Sequence, residues 1–488
     1  MSRVEKLDSW HADWRELRVA VLGLGVTGFS VADTLAELGC AVTVFAETAE
    51  PDRLDLLNVL GVQHVTGTAA AGLPESLVQN RPELIVTSPG VRPDNEIIAW
   101  AKASGIPVWV DIDLAWRLRD KQGSPAAWLC VTGTNGKTTT VQLATHILNS
   151  AGIKAVACGN IGTPILDCIR EPDGFDVLVV ELSSFQLHYM GEIAAHSSAI
   201  LNIDQDHIDW HGSFEEYRRV KGKVHHGTTH ALIYNDADAA TRELTESANS
   251  GFNSRAVGFT LAVPSPGQIG FVEDVLADRA FVTDPMRAAD LGDMANIAKI
   301  GVLTPHLLAN VAAASALVRS YGVSSKAVID AVATFRLDAH RIEVVGEIDG
   351  VTYIDDSKAT NPHAAAASLS SFESVVWVVG GLLKGVDITP LVVRFAKRLR
   401  GAVVIGKDRE LVLEALAAAA PEVPVIEVDV DDNDLVMPMA VQSARMLAQA
   451  GDVVLLAPSA ASMDQFKDYA DRGKRFAAAV GQMGQSDE

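Results

Sequence analysis

The chain has 488 residues, 48% hydrophobic and 21% charged, with a formal net charge of −22; this is the composition of a globular protein of two to four domains, not of a disordered chain. So acidic a balance argues against a nucleic-acid partner, and no apolar run is long enough to span a bilayer, so no membrane insertion is expected. The charged start MSRVEKLDSWHADW lacks a signal-peptide core, and Cys40, Cys130, Cys158 and Cys168 show no CxxC spacing, which predicts a cytoplasmic location with reduced thiols.

Residues 1–110 contain a first α/β unit. Arg18–Leu22 reads as a strand, Gly23-Leu24-Gly25-Val26-Thr27-Gly28 as a tight turn, and the residues to about Leu38 as a helix. Ala41–Phe45 is a second strand leading to Glu47. A GxGxxG turn with an acidic residue about twenty positions on ordinarily holds a dinucleotide's pyrophosphate and ribose. The same glycines also serve close strand–helix packing. Leu84–Thr87 is a further strand, ending in Ser88-Pro89-Gly90 at a carboxyl end, where open α/β sheets bind ligands.

Residues 111–337 form a central unit, opened by the charged helical stretch Asp111–Lys121 and the turn Gly123-Ser124-Pro125. The apolar run Ala126–Val131 breaks into Gly133-Thr134-Asn135-Gly136-Lys137-Thr138-Thr139, and a helical pattern follows (Val141, Leu143, Ala144, Ile147, Leu148). Strand, Gly-rich turn and helix start make a phosphate cradle, because N–H groups and the helix dipole face the anion. Lys137 would reach the β- and γ-phosphates and the Thr138 hydroxyl a Mg²⁺ ion. Val131 departs from the strict pattern, which has Gly there. Asp176–Val180 is a buried strand ending in Glu181, a carboxylate well placed for Mg²⁺. The strand Ser198–Asn202 runs into Asp204-Gln205-Asp206-His207-Ile208-Asp209-Trp210-His211. Residues 260–300 read as hairpins and loops, and helices return at Pro305–Tyr321 and Ser325–Phe335.

Residues 338–488 read as a third α/β unit, with strands at Ile342–Ile348, Val351–Ile354, Val375–Val379, Ala402–Ile405 and Val453–Leu456. Their alternation with helical stretches predicts a doubly wound sheet.

The loop VTGTNGKTT, then Glu181-Leu182-Ser183-Ser184-Phe185-Gln186, then Asp206-His207-Ile208-Asp209, in this order and spacing, resemble the Mur ligase family, which also includes folylpolyglutamate synthetases. The segment Asp355-Asp356-Ser357-Lys358-Ala359-Thr360-Asn361, with Ser459–Tyr469, resembles the members that add D-glutamate. The resemblance covers nearly the whole chain. It implies an α/β fold of three domains: a Rossmann-like domain that binds a UDP-linked substrate, a central phosphate-loop ATPase domain, and a C-terminal Rossmann-like domain whose closure completes the site. It further implies an ATP-dependent amide ligase joining D-glutamate to UDP-N-acetylmuramoyl-L-alanine through an acyl phosphate, with two Mg²⁺ ions. A monomer is expected.

The residue roles follow from the same resemblance. Thr27, Glu47 (where Asp is common), Thr48, Ser88 and Gly90 would line the UDP site, and Asn160 and Ser183 would contact the muramoyl group. Gly133, Thr134, Asn135, Gly136, Lys137, Thr138 and Thr139 would cradle ATP, with Asn310 at adenine, Arg341 at the γ-phosphate and Asp356 at the ribose. Lys137, Glu181, His207 and Lys221 would be catalytic, and Thr138, Glu181, His207 and a carbamylated Lys221 would hold metal. Lys223 is the nearby competitor of Lys221. A two-histidine zinc site at His207 and His211 is rejected, because HExxH is absent and hard oxygen donors suit Mg²⁺. Lys358, Thr360, Lys384, Ser462 and Tyr469 would receive D-glutamate; Tyr469 stands where Phe is frequent. Two other readings compete: an NAD-dependent oxidoreductase from Gly23–Glu47 alone, and an ATPase switch acting on a protein partner.

Overall fold

The computed structural model describes residues 3–284 and 286–485. Its strands fall into three sheets. The first comprises β1 (Arg18–Leu22), β2 (Ala41–Ala46), β3 (Gln63–Thr66), β4 (Leu84–Thr87) and β5 (Val108–Trp109), in the order β3-β2-β1-β4-β5. All its pairings are parallel. Chain order reverses between β1 and β4, which opens a crevice at their carboxyl ends.

The second sheet comprises β6 (Ala127–Thr132), β7 (Ala155–Gly159), β8 (Val177–Glu181), β9 (Ser197–Ile200), β10 (Ala231–Asn235), β11 (Arg255–Phe259), β12 (Gln268–Val272), β13 (Val275–Asp278) and β14 (Ala289–Asp293). Its order is β14-β13-β12-β11-β10-β9-β6-β8-β7. β12–β13 and β13–β14 pair antiparallel, the hairpins expected over 260–300. In register, Val131 of β6 faces Glu181 of β8. The strands at the centre of this sheet are continuous apolar runs because both faces are covered.

The third sheet comprises β15 (Glu343–Ile348), β16 (Val351–Asp355), β17 (Val375–Gly380), β18 (Leu399–Ile405), β19 (Val425–Glu427) and β20 (Val453–Leu456), in the order β15-β16-β20-β17-β18-β19. β15 is an antiparallel edge strand paired with β16, and the other pairings are parallel.

The chain packs as two compact units, Met1–Asn296 with Ala309–Ala333, and Ile297–Leu308 with Thr334–Glu488. The first two sheets share the first unit. One buried cluster runs from Val21 and Leu35 through Trp109 to Trp128 and Val180. The helix Asp111–Leu118 contributes Ile112, Leu114, Ala115 and Leu118 to it, so the charged connector is a core element on its apolar face. The second unit has its own clusters on the two faces of β16, β17, β18 and β20. Among the described residues, no helix is long and apolar enough to cross a membrane.

Candidate functional site

The phosphate loop lies between β6 and the helix Lys137–Ser150. Gly136 has φ of 82°, and a Cβ there would run into the side-chain amide of Asn310. Both facts demand glycine. Asn202 holds the loop from below. Its backbone oxygen accepts from Thr134 N at 2.9 Å, its Oδ1 accepts from Asn135 N at 2.8 Å, and its Nδ2 donates to Asn135 O at 3.1 Å. The Thr134 hydroxyl lies 2.9 Å from the Tyr217 hydroxyl and accepts from Asp204 N at 2.9 Å. Thr138 is half-buried at the helix start and Thr139 is buried. Asn310, assigned to adenine by the resemblance, stands against the loop itself.

Two lysines converge on this loop. Lys137 Nζ donates to Gly133 O at 2.9 Å and Thr134 O at 3.0 Å. Lys221 Nζ donates to the same Gly133 O at 2.8 Å and to Thr132 Oγ1 at 3.3 Å. Lys221 is buried, at the end of the helix Phe214–Gly222. Burial, and then the neighbouring charge of Lys137, hold its pKa well below the ordinary lysine value, although Asp206 and Glu181 pull it upward. Lys223, by contrast, donates to His188 O at 3.1 Å and does not share this acceptor.

Glu181, at the end of β8, is 2% exposed. Its Oε1 accepts from Asn160 Nδ2 at 2.9 Å, while its Oε2 is buried with no partner among the described residues. Such an oxygen fits a cation. Ser183 caps the helix Ser184–Tyr189, accepting from Gln186 N at 3.1 Å and donating to Gln186 Oε1 at 3.1 Å. Gln186 Nε2 in turn reaches Asp111, whose carboxyl burial lifts to about 7.

His207 has φ of 52° and an exposed ring 4.7 Å from the ring of Phe185. Desolvation holds its pKa below the usual imidazole value despite Asp206, which favours the neutral, metal-ligating form. The buried His211 points its Nε2 at Ser184 Oγ, 3.0 Å away.

In the first sheet, Thr27 stands in the helix that follows the turn after β1, Ser88 and Gly90 follow β4, and Glu47 and Thr48 are exposed beyond β2. Ser88 N donates to Leu22 O at 2.8 Å, and Ser88 Oγ is buried without a partner. A Cβ on Gly23 would sit 2.6 Å from that oxygen, so the GxGxxG turn is closed by packing as well as by its conformation.

The second unit carries the remaining residues. Arg341 lies between His340 (φ 67°) and Ile342 (φ 48°), two non-glycine residues in left-handed backbone. His340 Nδ1 is 2.6 Å from Asp355 Oδ2, and His340 N donates to Glu343 at 2.8 Å, which stabilises the unusual turn. Asp356 accepts from the Ser368 hydroxyl; burial lifts its carboxyl to about 6, opposed by that bond and by the charge of Arg341. Lys358 Nζ lies 3.5 Å from the Tyr469 hydroxyl and 5.0 Å from its ring centre. Thr360 is half-buried and Lys384, with φ of 53°, is exposed. The Lys384 loop pairs with the loop of the buried Ser462 through Leu382 N to Ala461 O, 2.9 Å, and Ala461 N to Leu382 O, 3.0 Å. Arg472 is buried between the Lys358 segment and the Ser462 loop, donating to Ser357 Oγ at 2.9 Å, Ser357 O at 2.9 Å and Ala460 O at 3.2 Å.

Asn202, Tyr217, Asp355 and Arg472 are the supporting residues that sequence reading passes over. Asn202 carries the faintest signal, an amide closing an apolar strand. Tyr217 and Arg472 touch loops far away in sequence, and Asp355 touches His340, fifteen residues upstream.

A phosphate loop at the end of a parallel strand, backed by two lysines and a buried carboxylate, in a chain that carries two further α/β sheets, defines a multidomain nucleotide-dependent enzyme. Family models match in chain order: a Mur ligase MurD-like N-terminal domain over residues 17–110, a Mur ligase middle domain over 131–318, and a Mur ligase glutamate ligase domain over 340–460. The chain belongs to the Mur ligase family. It is 54% identical to the UDP-N-acetylmuramoylalanine--D-glutamate ligase of Leifsonia xyli subsp. xyli, over 98% of this chain and 95% of that one. To the protein of the same name from Streptomyces avermitilis it is 50% identical, over 97% and 99%. Its fold is similar to that of the MurF ligase of Thermotoga maritima in complex with ADP, with a TM-score of 0.53, 17% identity, and coverage of 97% and 96%.

Proposed function

We propose that this chain is an ADP-forming ligase that joins D-glutamate to UDP-N-acetylmuramoyl-L-alanine in the cytoplasm, for peptidoglycan precursor synthesis, and acts as a monomer. The observation that carries the reading is the convergence of Lys137 and Lys221 on Gly133 O, in the strand ends next to the unpartnered oxygen of Glu181. A triphosphate and a carboxylate brought together need positive charge, which Lys137 and bound Mg²⁺ would supply, with Lys221 placed to support the metal. The full-length likeness to ligases of that name supports the choice of substrates. The domain limits in this reading are 1–110, 111–337 and 338–488.

A carboxylate has no good leaving group, so it is activated first. An oxygen of the L-alanyl carboxylate attacks the γ-phosphorus, the bond to the β–γ bridging oxygen breaks, and ADP leaves. The D-glutamate amine then attacks the acyl carbon and loses a proton. The tetrahedral adduct collapses by breaking the acyl C–O bond, and inorganic phosphate departs. Backbone N–H groups of Gly133–Thr139 and the Lys137 ammonium hold the β- and γ-phosphates. Asn310, Arg341 and Asp356 complete the nucleotide contacts.

Thr138, Glu181, His207 and a carbamate on Lys221 would hold two Mg²⁺ ions, which when bound supply electrophilic stabilisation of phosphoryl and acyl oxygens. The unpartnered Glu181 oxygen fits a hard cation, the lowered pKa of His207 leaves its ring nitrogen free to ligate, and carbamylation requires the neutral amine that the low pKa of Lys221 favours. Thr27, Glu47, Thr48, Ser88, Gly90, Asn160 and Ser183 take the UDP-muramoyl substrate. D-Glutamate is a dianion at its carboxylates, which Lys358, Thr360, Lys384 and Ser462 answer, with Tyr469 packed over its chain.

The test is phosphate release from ATP and Mg²⁺ with UDP-N-acetylmuramoyl-L-alanine and either D- or L-glutamate. Release that requires both the precursor and the D-isomer, with a matching gain in product mass, is expected. Release without an acceptor would instead make the protein an ATPase switch.

A further inference from the structure

The two turns that carry Glu181 and His207 also reach across to the first sheet, at one loop. Tyr189 ends the helix that begins after Glu181-Leu182-Ser183, and its hydroxyl donates to Val91 O at 2.7 Å. Trp210 lies three residues beyond His207, on a turn whose Trp210 and His211 N–H groups bond back to His207 O at 3.1 and 3.0 Å. Its Nε1 donates to Gly90 O in a longer bond of 3.4 Å. The rings form one packed body: Phe185 lies 4.7 Å from both His207 and Trp210, and Trp210 meets Tyr189 edge-on at 6.2 Å. On its other side, the same loop is anchored to β1 through Ser88 N and closed in by the Gly23–Gly28 turn.

We infer that Tyr189 and Trp210 are positioning residues that fix the Ser88–Val91 loop, and with it the diphosphate end of the substrate, at a set distance from Glu181 and His207. The inference rests on the function proposed above. A substrate bound at one end by the first sheet and reacting at the other beside the second requires that span to be held within a fraction of an ångström. Loops alone do not hold it; two side chains that donate to consecutive carbonyls, in part-buried bonds from one packed body of rings, do. The ATP cradle has its own hydrogen-bonded ties, through Asn202, Tyr217 and Lys221, and meets the packed rings where His211 lies 5.4 Å from Tyr217. Loss of the clamp therefore acts on one substrate and not on the other.

Tyr189→Phe removes only the hydroxyl, and Trp210→Phe keeps a ring while removing the N–H. In each, the KM for UDP-N-acetylmuramoyl-L-alanine is expected to rise about tenfold, with the KM for ATP unchanged; the smaller ring of Trp210→Phe also lowers the melting temperature, whereas Tyr189→Phe leaves the ring packing in place. The two effects combine less than additively, because both bonds hold one loop. Titration of UDP alone, followed by calorimetry, reads the same loop without turnover, and its affinity should fall in parallel in both variants. An unchanged precursor KM and UDP affinity would overturn the inference. So would a rise matched by the KM for ATP in both variants, which is the mark of a general structural role. If wild-type protein binds UDP, the variants weaken that binding, and no precursor is turned over, the clamp stands and the assigned reaction fails.

Discussion

Lys137 and Lys221 end on the same atom: both ammonium groups donate to the carbonyl oxygen of Gly133, at 2.9 and 2.8 Å. One neutral acceptor does not offset two cations, so the charge of Lys137 adds to burial, the larger cause, in holding the pKa of Lys221 down. Lys221→Met removes the costly buried charge and leaves Gly133 O with Lys137 as donor. The melting temperature at pH 7 should be no lower than that of wild type, while phosphate release falls by on the order of 10³-fold. A marked loss of melting temperature would mean that Lys221 is there for packing.

Gly136→Ala forces a side chain onto a left-handed residue and into Asn310. The expected result is a KM for ATP raised at least about tenfold. Adding Asn310→Ala relieves the collision but not the backbone strain, so recovery should be partial. Full recovery would show that the collision alone mattered.

Arg472 joins the segment that bears Lys358 to the loop that bears Ser462 by three hydrogen bonds. Lysine cannot reproduce that planar fork. Arg472→Lys should cost about 2–4 kcal/mol, read as a melting temperature several degrees lower. It should also raise the KM for D-glutamate while leaving the KM for ATP unchanged.

Asp111 has a folded-state pKa of about 7 against an ordinary 3.8, because burial outweighs the Gln186 hydrogen bond. The native state therefore keeps a proton that the unfolded chain releases. Its contribution to stability is complete below about pH 4 and is lost as pH rises to about 7. Asp111→Asn keeps an acceptor for Gln186 without titrating. Its stability relative to wild type should climb across that window, by roughly 4 kcal/mol at most, and be level above it. Denaturant unfolding at a series of pH values checks the slope; a flat difference would contradict it.

Much of the architecture is legible in the chain because its strands are short apolar runs bounded by glycine-rich turns. β1 and β4 have the limits read from sequence, and β6, β8 and β20 lie within a residue of them. β7, β10, β11 and β19 escape notice, being short or half-exposed, with patterns that a helix or loop also allows. β15 reads as one more strand of a doubly wound sheet, yet it folds back antiparallel on β16. Hydrophobic alternation marks a strand but not its direction.

The sequence by itself determined the phosphate loop and the order of the chemical residues along the chain, because glycines, lysine and threonine at one spacing are a local requirement of anion binding. Only the tertiary structure decided what supports them. Asn202 under the phosphate loop, Tyr217 against Thr134, Asp111 behind Gln186, and Tyr189 and Trp210 on the Ser88–Val91 loop all act across long sequence separations. The reason is physical: a buried donor or acceptor needs some partner, and which residue supplies it depends on which strands end side by side.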